Sequence, residues 1–299
     1  MAPESLADAI GVPYRIYSLK SRQFGWRRFR RRLQFEGRFL TPSTALVEVE
    51  DGRRFKLLST SHNNRHWINH HLYNYEAASR LDFVPRLIWH DDQHILVEFI
   101  EGNTPAIEDD SFAVALGRRL AKVHQVDAGE RPAAAVLRNV VIDLGMIVDA
   151  GFLAEPTSHR LCDRLSTILP ANVRTSLTYI DLQPANFCFT ESGALIFFDL
   201  GSFQRGRITD DSLFGHKLVR PTLAYSLNKN LLKEAYLDAG GLPQLFDWAT
   251  HLEVLDDVRK AALCVRRYQA AVVIQRGRRR MYRQLVADRV MRLQSFAEG

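Results

Sequence analysis

Cysteine is scarce in this chain of 299 residues. The three cysteines, Cys162, Cys188 and Cys264, are widely spaced, and no C-x-x-C pair occurs. This pattern suggests neither a zinc site nor a disulfide framework, so it fits a reducing compartment. Long hydrophobic runs are also absent, since none approaches the roughly 18 apolar residues that a membrane-spanning helix needs. The first residues have neither the basic start nor the apolar core of a secretory signal. We therefore expect a cytoplasmic protein.

The composition is that of an ordinary globular protein, with 46% hydrophobic and 25% charged residues. A chain of this length and composition can bury a substantial core, either as one large domain or as two lobes. The net charge of +6 is concentrated in two arginine clusters rather than spread evenly.

The first arginine cluster lies in residues 13–38, where aromatic residues alternate with basic ones. Its members are Arg22, Arg27, Arg28, Arg30, Arg31, Arg32 and Arg38. The second cluster lies in a proline-free helical pattern over residues 252–297, and its members are Arg276, Arg278, Arg279, Arg280 and Arg283. Three interpretations stay open: a solvated face, a surface for an anionic membrane or phosphorylated glycan, and a nucleic-acid surface. Nucleic acid is the least favoured, because no groove-reading motif occurs.

The most informative stretch is residues 177–203. Two β-like runs, residues 186–190 and 194–198, flank Glu191-Ser192-Gly193, which predicts a hairpin. Asp181 follows an apolar run, Asn186 comes five residues later, and Asp199 leaves the second strand. The hairpin can bring these three oxygen-bearing side chains into one cleft. Two of them suit Mg²⁺, which takes carboxylate and amide oxygens together with water and substrate phosphates.

Asp181-x-x-x-x-Asn186 and a strand ending in Asp199-Leu200-Gly201 together resemble the catalytic and metal-binding loops of protein-kinase-like phosphotransferases. The flanking sequence is most similar to the aminoglycoside and choline kinases and to bacterial lipopolysaccharide kinases. The resemblance covers about residues 34–221. It implies that Asp181 accepts or orients the proton of the acceptor hydroxyl, and that Asn186 and Asp199 hold Mg²⁺ against the phosphates of ATP.

The resemblance extends to the first part of the chain. Residues 34–58 predict three strands, with a hairpin turn at Glu50-Asp51-Gly52. No G-x-G-x-x-G phosphate loop occurs, so Ser43 and Thr44 become the candidates for covering the nucleotide phosphates. Lys56 stands where kinases carry the lysine that binds the α- and β-phosphates. A helix predicted over residues 61–81 supplies Glu76 as the partner of that lysine.

Residues 84–89 and 94–98 predict two further strands, and the segment after them resembles the hinge between two lobes. The resemblance places Glu98 and Ile100 at the adenine by position. Phe112, Leu116, Leu120 and Val123 then follow at helical spacing and are predicted core residues. A further helix is predicted over residues 159–169.

Three features depart from the protein kinases. Tyr179 stands where most relatives have histidine, Gln183 stands where protein kinases have a lysine, and no A-P-E signature follows residues 202–221. The first should be tolerable, because that residue braces the loop rather than reacting. The other two favour a small molecule or glycan over a protein as acceptor. Asp210 and Asp211 are candidates for contacting a cationic acceptor or for capping a turn.

The resulting prediction is an α+β protein-kinase-like fold with two lobes. Residues 1–33 form a basic extension, residues 34–100 an antiparallel N-lobe with one helix, and residues 101–299 a mostly helical C-lobe. The predicted activity is transfer of phosphate from ATP, with Mg²⁺, to a hydroxyl of a small molecule or glycan. The arginine clusters favour a lipopolysaccharide core sugar and peripheral contact with the inner face of an anionic membrane. The alternative is a pseudokinase or nucleotide-binding adaptor that acts through its basic surfaces.

Overall fold

The computed structural model describes residues 5–18, 43–59, 65–182, 184–208, 227–243, 249–270 and 276–298. The strands are β1 (Tyr14–Ser18), β2 (Ser43–Val49), β3 (Arg54–Ser59), β4 (Leu87–His90), β5 (His94–Glu98), β6 (Gly129–Pro132), β7 (Asn172–Tyr179), β8 (Phe187–Phe189), β9 (Leu195–Phe197) and β10 (Phe203–Ile208). The α-helices are α1 (Leu6–Ile10), α2 (Arg65–Ala78), α3 (Asp110–Gln125), α4 (Ala133–Asp149), α5 (Glu155–Ile168), α6 (Lys229–Asp238), α7 (Ala249–Ala270) and α8 (Arg276–Glu298). The fold is α+β, as predicted.

The first lobe is an antiparallel sheet with the strand order β1-β2-β3-β5-β4. The β2–β3 hairpin turns at the predicted place, and Gly52 adopts φ +85°, a backbone conformation that favours glycine. β3 lies in the middle of the sheet, where Lys56 is opposite Leu46 on one side and Val97 on the other. Helix α2 follows β3 and packs Ile68 and Tyr75 against Ile95 and Val97 of β5.

The start of this lobe differs from the prediction. Residues 14–18 had been assigned to a basic extension, with the lobe beginning at residue 34. They instead pair with β2 as the edge strand β1, so the sheet already includes them. Most of the first arginine cluster and the strand predicted over residues 34–40 lie outside the described residues.

The second lobe is mostly helical. Helix α3 buries the predicted core residues Phe112, Leu116, Leu120 and Val123, each at most 1% exposed. α3 lies against α6 at Gly117, where an added Cβ would be 2.4 Å from the carbonyl oxygen of Leu232. Glycine is therefore what allows these two helices to approach so closely.

Three helices complete the core of the second lobe beyond the prediction. Helix α4 lies in a region that had been read as a connection, although Val136, Val140, Leu144 and Ile147 are all buried at helical spacing. Helix α5 begins at Glu155, before its predicted start. Helix α7 buries Val258 and Val265, whereas Leu263, also predicted to pack, remains 41% exposed.

Two small sheets carry the loops that contain Asp181, Asn186 and Asp199. One has the strand order β10-β7-β6, and the other is the predicted hairpin β8–β9, which turns at Gly193 with φ +77°. Among the described residues, no helix combines the length and the hydropathy needed to cross a membrane. The three cysteines are all free thiols.

Candidate active site

The pairing of β7 with β10 brings the two candidate carboxylates together. These strands are antiparallel, with Tyr179 opposite Phe203. The N–H of Ile180 donates to the carbonyl of Ser202 at 2.9 Å, which extends the pairing past the end of β7. Asp181 therefore leaves the sheet at the same end at which the Asp199 turn enters it.

Asn186 is fixed by hydrogen bonds on both sides. Its Nδ2 donates to the carbonyl oxygen of Asp181 at 2.9 Å, and its own carbonyl accepts the N–H of Phe198 at 3.2 Å. The first bond closes the loop between Asp181 and Asn186, and the second ties that loop to the residue before Asp199. Because the amide nitrogen is the donor, the amide oxygen is the atom left to act as a metal ligand.

Asp199 caps the short 3-10 helix Leu200–Ser202. One carboxylate oxygen accepts the Ser202 hydroxyl at 2.7 Å, and the other accepts the Gly201 N–H at 3.3 Å. These bonds orient the carboxylate while each oxygen keeps a further lone pair. The Asp199 carboxylate and the Asn186 amide oxygen are ligand types that suit Mg²⁺. Within the described ranges, no cluster of three or more histidine, cysteine, aspartate or glutamate side chains could hold a metal ion.

Tyr179 packs in the core next to the loop between Asp181 and Asn186. Its side chain is fully buried, and its ring centroid lies 5.5 Å from that of Phe187, 4.9 Å from that of Phe197 and 4.8 Å from that of Phe203. Its hydroxyl donates to the carbonyl of Asn186 at 3.5 Å. Burial raises the pKa of the Tyr179 phenol well above its ordinary value, and the charges of Asp199 and Asp181 add to this effect. The phenol is therefore a neutral brace for the loop.

Lys56 lies across the cleft from Asp199. Burial lowers the pKa of the Lys56 ammonium, and the charge of Asp199 opposes that shift. The ammonium nitrogen is 5.2 Å from the centroid of the Phe198 ring, beside Asp199. Burial disfavours the charged form of Lys56, while the Asp199 carboxylate and the Phe198 ring favour it. The phosphate oxygens of a nucleotide would stabilise the ammonium group further.

The expected pairing of Lys56 with Glu76 is not observed. The Glu76 side chain is 70% exposed, and its carboxylate instead pairs with Arg205 of β10 at 3.1 Å. The α2 residue that meets the Asp199 turn is His71, 9% exposed: a Cβ added to Gly201 would lie 2.5 Å from its Nε2 atom. Helical spacing alone could not show which of the polar residues of α2 turns towards the cleft.

The two candidates for covering the phosphates lie in a strand rather than in a loop. Ser43 and Thr44 open β2 and pair with Ser59 and Leu58 of β3. Their role at the nucleotide phosphates stays a prediction.

Glu98 ends β5, directly before the segment predicted to be the hinge, and the roles of Glu98 and Ile100 at the adenine stay predictions. The N–H of Glu98 donates to the carbonyl oxygen of Arg86 at 2.9 Å, and the Glu98 carboxylate accepts the N–H of Arg86 at 3.4 Å. The N–H of Ile100 forms no backbone hydrogen bond with any described residue, as an adenine-binding group requires. At Gly102, with φ +156°, an added Cβ would lie 2.0 Å from the carbonyl oxygen of Phe189. Glycine is needed there because the hinge contacts the β8–β9 hairpin.

Gln183, Asp210 and Asp211 lie outside the described residues, and so do residues 209–221 of the segment that lacks the A-P-E signature. In the second arginine cluster, Arg279, Arg280 and Arg283 are exposed on α8.

Comparisons with known proteins show the fold. No protein-family profile matches the chain, and no curated protein sequence matches it. Solved structures do match. Macrolide 2′-phosphotransferase MphH from Brachybacterium faecium is 18% identical, with a TM-score of 0.58 over 83% of this chain and 88% of that one. An ADP-bound aminoglycoside phosphotransferase, APH(2′′)-Ib, is 14% identical, with a TM-score of 0.55 over 88% of this chain and 98% of that one.

A third match is choline kinase LicA from Streptococcus pneumoniae, 13% identical, with a TM-score of 0.52 over 85% of this chain and 89% of that one. All three structures are protein-kinase-like phosphotransferases. Their similarity to this chain confirms the predicted two-lobed kinase-like fold.

Proposed function

We propose that this chain, which has the protein-kinase-like fold, transfers phosphate from ATP to a hydroxyl group of a small molecule or glycan in a Mg²⁺-dependent reaction. One observation carries the proposal. The Asn186 side chain is bonded to the Asp181 carbonyl, and both are tied to the turn whose Asp199 carboxylate lies across the cleft from Lys56. This set of groups is what phosphoryl transfer needs, because the reaction depends on positioning and charge stabilisation.

Each side chain has a role in this mechanism. Lys56 binds the α- and β-phosphate oxygens of ATP, and the backbone at Glu98 and Ile100 binds the adenine. Asn186 and Asp199 would hold Mg²⁺, which would supply positive charge to offset the negative charge of the transferred phosphate. Asp181 accepts a hydrogen bond from the acceptor hydroxyl and aims its oxygen at the γ-phosphate. Tyr179 keeps the loop of Asp181 and Asn186 in place from the core.

A small acceptor is favoured by the comparisons, since the structurally similar proteins are named as kinases of macrolides, aminoglycosides and choline. The charge of this chain refines the proposal. Its net charge of +6 and the exposed arginines of α8 favour an anionic acceptor, such as a core sugar of lipopolysaccharide. In that case the enzyme works in the cytoplasm, at the inner face of an anionic membrane.

The competing function is a nucleotide-binding adaptor without transferase activity. The lack of a glycine-rich loop and the presence of Gln183 favour it. The retention of Lys56, Asp181, Asn186 and Asp199 argues against it, because an inactive kinase has no need of both the metal ligands and the base.

The test measures Mg²⁺-dependent ATP binding by calorimetry and phosphate transfer to a panel of aminoglycosides, macrolides, amino alcohols and lipopolysaccharide core oligosaccharides. The variants Asp181→Asn and Asp199→Asn are compared with the wild type. The control is Asp82→Asn, which removes an aspartate that is 70% exposed and paired with Arg119.

We expect Asp181→Asn to keep ATP binding and to lose about 10³-fold in transfer rate. Asp199→Asn should lose both Mg²⁺-dependent binding and transfer, and Asp82→Asn neither. Nucleotide binding without transfer to any acceptor would favour the adaptor. An absence of nucleotide binding would refute both functions.

A further inference from the structure

Strand β10 contains an irregularity that points one side chain towards α2. Gln204 pairs with Thr178 and Arg207 with Ser176, so Arg205 and Gly206 occupy a bulge. Gly206 adopts φ +62°, and its carbonyl accepts Arg131 Nη2 at 3.1 Å. A bulge bends a strand and redirects a side chain, and such features recur next to active sites. This one lies six residues after Asp199.

The backbone of Arg205 is bound to α2. Its N–H donates to the side-chain oxygen of Asn74 at 2.9 Å, and the Asn74 Nδ2 group donates to the carbonyl of His70 at 2.8 Å. Asn74 is only 2% exposed. A buried amide with both ends bonded fixes the separation between helix and strand, since losing either bond would leave a buried polar group unsatisfied.

The guanidinium of Arg205 joins three elements. Its Nε is 2.7 Å from a carboxylate oxygen of Asp127, in the turn after α3. Its Nη1 is 3.1 Å from Glu76 and 3.3 Å from the carbonyl oxygen of Tyr73, both on α2. The guanidinium carbon lies 4.6 Å from the centroid of the Tyr73 ring. Only arginine offers a planar set of donors that can bind in these directions at once.

Asp127 is the C-lobe end of this connection. Its backbone has φ +50°, and among the described residues it is the only non-glycine residue with a positive φ. Its carboxylate also binds Arg80 Nη1 at 3.0 Å. Strained backbone of this kind persists where the surrounding contacts hold it in place. Arg205 and Asp127 have side chains about one-fifth exposed, whereas Glu76 is mostly exposed, so the Asp127 contact is the stronger of the two ion pairs.

The first half of α2 contacts the Asp199 turn. Ile68 packs in one cluster with Leu200, and His71 lies against Gly201. A shift of α2 therefore moves the residues directly after Asp199. We propose that Arg205 is a positioning residue: by binding Glu76 and Asp127 together, it fixes α2, and through α2 it fixes the turn that carries Asp199. In this chain, Glu76 acts through Arg205 and not through Lys56.

The catalytic part of this inference rests on the proposed phosphotransferase function, but the structural part does not, so the experiment measures both. Hydrogen exchange of the amides of α2 is followed in the nucleotide-free protein. MgATP hydrolysis, with water as the acceptor, gives kcat and KM. The variants are Arg205→Gln, Arg205→Lys, Asp127→Asn and Glu76→Gln. The control is Arg266→Gln, which removes the same charge and an ion pair with Asp143 on α4, far from α2 in the fold.

We expect Arg205→Gln and Asp127→Asn to accelerate exchange in α2 and to lower kcat about tenfold, while KM for ATP changes less than about threefold. KM is spared because the hinge that binds adenine does not contact this arginine. Glu76→Gln should have a smaller effect, within about threefold in kcat, because its ion pair is exposed. Arg205→Lys should recover part of kcat, since an ammonium can still pair with Asp127. Arg266→Gln should match the wild type.

Unchanged exchange in α2 of Arg205→Gln would overturn the inference, whatever the activity of the wild type. Faster exchange without a larger loss of kcat than in Arg266→Gln would overturn the positioning role. A Lys56→Met variant is measured as a further reference. If Glu76→Gln loses as much kcat as Lys56→Met while Arg205→Gln keeps its kcat, Glu76 pairs with Lys56 in the working enzyme. Faster exchange in Arg205→Gln, with a wild type that neither hydrolyses MgATP nor transfers phosphate to any acceptor of the panel, would refute the proposed function and the catalytic role of Arg205, but not its role in fixing α2.

Discussion

The two sides of the cleft are built in different ways. On the C-lobe side, the loop of Asp181 and Asn186 packs on a buried group of aromatic rings, and the side-chain hydrogen bonds of Asn186 and Asp199 join residues within five positions of each other. On the α2 side, the contacts join residues from three separate parts of the chain and reach the surface at Glu76. The first arrangement is rigid by packing. The second depends on charges that meet only in the folded protein.

Lys56 lies between these two sides, and replacing it should give the largest effect. We expect Lys56→Met to lower kcat/KM for MgATP about 10²-fold, because the cation that binds the phosphates is lost. Stability should be unchanged or higher, since burial opposes the charge of this lysine, as its lowered pKa indicates. Enzyme kinetics together with thermal unfolding check both parts. A clear fall in Tm would mean that Lys56 has a structural role instead.

The rigidity of the C-lobe side can be broken at Tyr179. Tyr179→Ala should lower the free energy of unfolding by about 3–5 kcal/mol, because it leaves a cavity among three phenylalanine rings. Tyr179→Phe keeps the ring and loses the hydrogen bonds of the hydroxyl, the long one to the Asn186 carbonyl among them, so it should cost about 1 kcal/mol and leave transfer nearly intact. Denaturant unfolding checks the difference. Equal losses in the two variants would show that the hydroxyl, and not the ring, supports the loop.

The core of the C-lobe also contains a buried histidine, His124. His124 is 2% exposed, and its Nδ1 is 2.9 Å from the hydroxyl of Tyr236. Its Nε2 is buried without a partner among the described residues. Burial lowers the pKa of His124 from 6.5 to about 3, so the folded state holds the neutral form.

This pKa predicts a dependence of stability on pH. As the pH falls below 6.5, the unfolded chain binds a proton at His124 while the folded chain does not. Stability should therefore fall by about 1.4 kcal/mol per pH unit until the pH approaches the folded pKa of about 3. The reference is His124→Gln, which lacks this proton. Identical slopes of unfolding free energy between pH 6.5 and pH 4 in the two proteins would contradict the prediction.

The same contrast explains how much could be read from the sequence. The hairpin, its turn at Gly193 and the placing of Asn186 and Asp199 beside it follow from local spacing, because a two-stranded hairpin is specified by neighbouring residues. The strand position of Lys56 follows in the same way from the turn at Gly52. Helix α4 has a sequence signal too, because its apolar residues recur at helical spacing.

Other features had no local signal. β1 pairs with a strand about thirty residues further on, across the first arginine cluster, and its Ile16 faces solvent, so its alternation is weak. The partner of Glu76 depends on the bulge at Arg205 and Gly206, which only the pairing of β10 with β7 reveals. Which face of α2 meets the Asp199 turn depends on how the two lobes pack.

The hinge has a consequence for how the lobes can move. Phe99 is bound to the first lobe through the carbonyl of Arg54, whereas Asn103 exchanges two hydrogen bonds with Phe189 of the second. Any opening of the cleft must therefore rotate about Ile100, Glu101 and Gly102, as hinge motions use a few residues between rigid bodies. The backbone proposed to bind adenine lies on this axis of rotation. In the proposed function, the base would therefore stay in place while the phosphates move towards and away from Asp199.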